Sequence, residues 1–233
     1  MNYKSALLMT SATVLLASAP ASATNFTFSS TNLPGGDFAG KTESITTTFN
    51  NNTELLTWSS TFSPNANGVN ANGAWLVLSD GPNPKKHAGE YAIFYMDEAA
   101  EKVSIYEYDG NNNSLSWKTP GNFLGHTALQ VSNVGNEKTF GFSLDMTDIN
   151  GMNLGPDWEG AAFGDRVGIW LHGVNTTDVQ FNADGSLAKF THGKSSYYDI
   201  ADKKTTAVPE PGSAAAVGLF AAAAAFIKRK QSA

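Results

Sequence analysis

Trp75-Leu76-Val77-Leu78-Ser79 and, after a turn-rich interval, Tyr91-Ala92-Ile93-Phe94-Tyr95-Met96 are the stretches that decide the fold. Both runs are apolar at odd and even positions alike, and the first belongs to a strand expected over 73–79, which the turn formers Asp80-Gly81-Pro82 close. A run this short and this rich in aromatic and β-branched residues reads as a strand rather than a helix. A strand that is apolar on both faces belongs at the centre of a sheet covered on both sides.

Working outward, residues 102–108 follow the second run after the acidic link 97–101 and form a hairpin with it. Upstream, residues 43–50 and 54–62 flank Asn51-Asn52-Thr53 and read as another hairpin. Residues 139–145 alternate cleanly, with Phe140, Phe142 and Leu144 on one face, and 166–172 place Val167, Ile169 and Leu171 inward. Shorter strands are expected at 115–118, 127–132, 179–181, 187–191 and 196–200, after a first strand and a glycine-rich loop over 24–41. About ten strands separated by Gly-, Asn- and Asp-rich turns, with no sustained helical periodicity, predict an all-β domain over 24–201. The expected architecture is an antiparallel β-sandwich of jelly-roll type. Residues 202–208 read as a polar linker.

The two ends have a different grammar. Lys4, the apolar run 6–17 and the small-residue pattern Ala21-Ser22-Ala23 make 1–23 a secretory signal peptide, cut before Thr24. At the other end come Val208-Pro209-Glu210-Pro211, an uncharged alanine-rich run over 212–227, and Lys228-Arg229-Lys230. An apolar helix closed by a basic cluster is a stop-transfer signal with its charges on the cytoplasmic side. The run falls short of the ~20 residues of an ideal span, which suits a transient anchor.

These ordered parts, Val208, Pro209, Glu210 and Pro211, then the apolar helix, then Lys228, Arg229 and Lys230, resemble the PEP-CTERM family of sorting signals. The stretches 74–95 and 163–170 also resemble the bodies of many PEP-CTERM proteins of unknown activity. The resemblance implies transient inner-membrane anchoring through 212–227 and recognition by an exosortase after signal peptidase has acted. It further implies release to the cell surface or extracellular matrix of a Gram-negative, exopolysaccharide-making bacterium. It supplies no catalytic residues. An ordinary C-terminal membrane anchor is the alternative.

Of the 15 basic residues four lie in the two ends, and of the 21 acidic residues one does, which leaves the domain between them at −9. That charge disfavours nucleic acid and anionic lipid as partners. The absence of cysteine excludes disulfides, thiolate catalysis and cysteine-bound zinc.

The ligand-binding candidates are Arg166, Trp170 and His172, which share the face opposite Val167, Ile169 and Leu171. Beside Gly168, Trp170 can stack a sugar ring while Arg166 and His172 donate to its hydroxyls. The other arrangement packs this face under a loop or sheet and puts Arg166 in a salt bridge. Tyr91, Tyr95, Tyr106 and Tyr108 form either a binding platform or ordinary cross-strand pairs. Two loops offer oxygen ligands for calcium: Asp109, Asn111 and Asn113, and the set that includes Asp148, Asn150 and Asp157. The first departs from the calcium-loop pattern at Ser114 and Pro120, and Asp and Asn are also common turn formers. Glu107, Asp97, Glu98 and Glu101 read as solvated, and the four histidines show no metal-ligand spacing. The expected function is an exported, non-enzymatic surface or matrix protein that binds exopolysaccharide. The alternatives are a purely structural matrix protein and a glycan-active hydrolase.

Overall fold

The computed structural model describes residues 24–31, 33, 38–110, 115–118 and 121–209. The expected signal peptide 1–23, the expected anchoring run 212–227, and Glu210, Pro211 and Lys228-Arg229-Lys230 of the expected sorting signal lie outside the described residues. Among the described residues no helix is long and apolar enough to cross a membrane.

Among the described residues fourteen strands and one short α-helix follow in chain order, with a single 3-10 turn at Pro84–Lys86 between the fourth and fifth strands. They are β1 (Thr24–Thr31), β2 (Lys41–Asn50), β3 (Leu55–Ser63), β4 (Gly73–Ser79), β5 (Ala92–Asp97), β6 (Lys102–Glu107) and β7 (Phe123–Ala128). Then come β8 (Gln130–Val134), β9 (Glu137–Asp145), α1 (Thr147–Asn150), β10 (Arg166–Asn175), β11 (Asp178–Phe181), β12 (Leu187–Thr191), β13 (Lys194–Lys204) and β14 (Thr206–Pro209). The first sheet has the order β14-β1-β2-β3-β9-β8 and the second β13-β10-β4-β5-β6-β7, with β11-β12 as a separate hairpin. Every strand pairing is antiparallel.

The two six-stranded sheets pack face to face as a β-sandwich. One core joins Ile45, Leu56 and Phe62 of the first sheet to Leu76, Phe94 and Leu171 of the second. Phe94 stacks on Phe142 across the gap at 5.5 Å and 27°. The double-sided reading of the deciding stretches holds: β4 and β5 are buried at every position, with Leu76 in the inter-sheet core and Trp75 in a second cluster on the outer face.

Three local expectations need correction. Residues 115–118 form a turn, not a strand. The stretch 127–132 is not one strand but the end of β7 and the start of β8, which lie in different sheets. Buried Leu129 is the corner, its amide donating to the Glu101 carbonyl at 2.8 Å. The polar linker 202–208 is instead the end of β13 and most of β14, which pairs with β1. A short polar strand is what a sheet edge favours, because one side of it faces water. The order also departs from a jelly roll, in which successive strands alternate between sheets: β1-β2-β3 and β4-β5-β6-β7 are meanders within one sheet.

Candidate functional site

Pleating sends alternate residues of β10 to opposite faces. Val167, Ile169 and Leu171 enter the inter-sheet core as expected. Trp170 therefore points outward, in a row Asp199, Trp170, Val77, Ile93, Tyr106, Phe123 across the second sheet. The neighbouring row is Tyr197, His172, Trp75, Tyr95, Ser104, His126.

The middle of this face is covered, while Tyr197, Asp199 and His126 at its margins are exposed. The β11-β12 hairpin lies on it, with Leu187 and Phe190 in the same apolar cluster as Trp75, Tyr95 and Trp170. Phe190 meets Trp75 and Tyr95 edge-on at 5.2 and 4.9 Å. The Leu187 amide donates to the Tyr106 hydroxyl at 2.5 Å, and the Ser104 hydroxyl donates to the Gly185 carbonyl at 2.8 Å. Trp170 is 0 % exposed and His172 3 %. Of the two arrangements the sequence left open, the structure has the covered one, so Trp170 presents no ring face to a dissolved sugar. Arg166 stands at the margin and bonds Asp202 through Nε at 3.3 Å and the Asp202 carbonyl at 2.5 Å. The four tyrosines are equally buried; Tyr95 donates to Asp97 at 2.9 Å. Asp97 is not solvated: it is buried and also accepts from the Ala100 amide at 2.8 Å, which fixes the β5–β6 turn.

The cover leaves polar atoms stranded. Trp170 Nε1, Trp75 Nε1, the Tyr108 hydroxyl and both His172 ring nitrogens have no hydrogen-bond partner. Burial pushes the His172 imidazole down to about 4, with His192 and Lys85 adding to the effect. The ring is thus held neutral, stacked on Tyr197 at 4.8 Å.

The outer face of the first sheet is built on the same alternation with different residues. Its middle row is Ser29, Thr46, Ser59, Gly141, Gln130 across β1, β2, β3, β9 and β8. On one side stand Thr206, Thr27, Thr48, Thr57 and Ser143. On the other stand Thr31, Ser44, Thr61, Thr139 and Ser132. All are half-buried or exposed, and none is charged. The charges begin beyond the rows, with Lys41 and Glu43 at one end and Asp145 at the other. Hydroxyls bond across strands: Ser29 with Thr46 at 3.2 Å, Thr61 with Thr139 at 2.9 Å, and Thr48 with Thr57. Gly141 leaves a gap in the middle row, and a trough of ≈ 740 Å³ beside it is lined by Thr57, Ser59, Ser143, Gln130 and Ser132, with Trp58, Leu129, Val131, Phe142 and Glu101 also in its wall.

A third feature lies at the end of the sandwich where the β2–β3 turn meets the segment after α1. Glu54, Asp80 and Glu159 line a cleft of ≈ 440 Å³ with Asn150 and Phe163. Glu54 accepts from the Asn150 amide at 2.8 Å, and the Asn150 side-chain oxygen accepts from the Ala161 amide at 3.0 Å. Burial first, then the charges of Asp80 and Glu90, raise the Glu159 carboxyl above its ordinary value. Sequence reasoning missed this convergence, since Glu54 and Asp80 sit in turns far from Glu159 in the chain. Of the calcium candidates, Asp148 and Asp157 are exposed, and Asn150 donates its side-chain amide to Glu54. Asp109 accepts from the Ser116 hydroxyl at 2.9 Å, and Asn111 and Asn113 lie outside the described residues. Among the described residues no three Asp, Glu or His side chains are placed to hold a metal ion. No family model, no curated protein and no solved structure matches this chain.

Proposed function

We propose that the chain is an exported, non-enzymatic surface or extracellular-matrix protein, processed at both ends and in contact with exopolysaccharide. The observation that carries this reading is the span of the described strands and the pairing of its two ends. The first strand begins at Thr24, the residue expected after signal-peptidase cleavage, and the last ends at Pro209, inside the sorting motif. These two residues are direct register partners in the β1–β14 ladder. Removal of 1–23 and of the tail beyond the motif leaves every described strand in place. In this reading 212–227 serves as a transient inner-membrane anchor and exosortase removes it.

The test is mass spectrometry of protein recovered from the matrix. It finds an amino terminus at Thr24 and no peptide from 212–233, and replacing Pro209 and Pro211 by alanine holds the protein in the inner membrane. Intact tails on mature surface protein overturn the processing and leave a simple anchor. One rival has an observation in its favour. A glycan hydrolase needs a carboxylic acid of raised pKa facing a second carboxylate, and Glu159 shares its cleft with Asp80 and Glu54. Release of reducing sugar from matrix polysaccharide, abolished by Glu159→Gln, decides for that rival.

A further inference from the structure

We infer that the open face of the first sheet is a docking surface for a neutral polysaccharide, whose chains lie flat across the hydroxyl rows and sink into the trough at Gly141. The inference deepens the matrix reading and rests on it for the presence of such a polymer.

Charge comes first. The domain is strongly acidic, yet three consecutive rows spanning up to five strands carry no charged side chain. An anionic polymer is repelled by the domain as a whole, and a cationic one is drawn to the acidic cleft at its end. A neutral, hydroxyl-covered polymer is the partner whose chemistry fits the rows. Each Ser or Thr hydroxyl both donates and accepts, so it pairs with a sugar hydroxyl of either sense.

Order comes second. Hydroxyl bonds tie Ser29 to Thr46, Thr48 to Thr57 and Thr61 to Thr139 across neighbouring strands. The sheet sets their spacing at about 4.8 Å between strands and roughly 6.8 Å along a strand. Such short side chains have little freedom left to lose when a ligand lies on them. Many weak contacts on one rigid face then add through their effective concentration. Shape comes third. Gly141, between Ser59 and Gln130, opens the trough, in which a ring can sit below the level of the flanking hydroxyls. The rows lack the aromatic and large apolar anchors that a second protein would need.

The experiment uses the full chain in a polyoxyethylene detergent, which carries no sugar. Depletion from solution onto insoluble cellulose, curdlan and chitin is compared with depletion onto alginate gel. The expected result is binding to at least one neutral polymer, none to alginate, and little change as salt rises to about 1 M, where charge interactions are screened. The double variant Ser59→Glu/Thr139→Glu, which puts charge into the middle of the field, weakens binding at least about ten-fold, or about 1.4 kcal/mol. Since that variant can fail to fold, Thr57→Val/Thr139→Val removes hydroxyls while keeping side-chain shape, and weakens binding with an unchanged thermal melt. Lys189→Glu, on the hairpin over the other sheet, binds as the parent does. No depletion by any neutral polymer, or depletion indifferent to both double variants, overturns the inference. A processed tail without polysaccharide binding leaves the export reading standing and removes this one. Binding with an intact tail does the reverse.

Discussion

The outer faces of the two sheets are made by one device and end in opposite states. On the second sheet the outward row reads Tyr197, His172, Trp75, Tyr95, Ser104, His126; on the first it reads Ser29, Thr46, Ser59, Gly141, Gln130. Both rows follow from the two-residue repeat of a strand. The aromatic row cannot remain in water without a large apolar patch, and the chain spends the β11–β12 hairpin on covering it. The hydroxyl row has no such need and stays open. Whether an outward register is core or surface is thus set by its chemistry and by whether the chain has a cover to place on it, not by the strand that presents it.

The largest test of this contrast is Trp170→Ala. In a covered face, loss of the ring leaves a cavity and lowers stability by about 3–5 kcal/mol. Urea melts of the parent and variant measure the loss, and a difference within experimental scatter would mean that the cover does not seal the face.

His172 sharpens the same side. Its imidazole titrates at about 4 in the fold, against an ordinary value of 6.5. Between those values the unfolded chain holds the extra proton, so stability is complete above pH 6.5 and falls as pH is lowered toward 4, by about 3 kcal/mol in all. His172→Phe keeps the contact with Tyr197 and removes both unpartnered nitrogens, so its melting temperature loses this step across the window. A parent and variant with parallel pH profiles would show that the imidazole is reached by water.

The smallest effect belongs to the open face. Thr48→Val/Thr57→Val changes stability by no more than about 0.5 kcal/mol, since the two half-buried hydroxyls bond each other on the open face and are removed together. A loss on the scale of Trp170→Ala would place these hydroxyls in a core, and the contrast between the faces would collapse.

The parts of this arrangement legible in the sequence are those decided within a strand. Gly73–Ser79 is found with its observed bounds because no other element is apolar at every position over so short a run. The inward residues of β9 and β10 are likewise visible from alternation. What depends on distant chain was hidden. The alternation of β10 places Trp170 opposite the core but says nothing of a cover supplied by residues 178–191, a short hairpin with modest apolar content. The threonines of β2 and β3 carry no assignment in the sequence reading, and their alignment with Thr139 and Ser132 needs the order β2-β3-β9-β8, which no local pattern specifies. Leu129 reads as one more apolar residue of a strand because its role as a corner exists only in relation to both sheets. β14 has the composition of a linker and becomes a strand only by finding β1. Asp97 looks solvated until the Tyr95 hydroxyl beside it is known to need an acceptor.

The β1–β14 ladder also decides how the domain bears load. Thr24 and Pro209 face each other at the same end of an antiparallel pair. A pull that separates Thr24 from Pro209 therefore acts on one bond of this ladder at a time, opening it like a zipper instead of shearing it all at once. Under tension the last strand peels away first and at low force, while the hydroxyl rows on β2, β3 and β9, tied to one another by full-length ladders, keep their spacing.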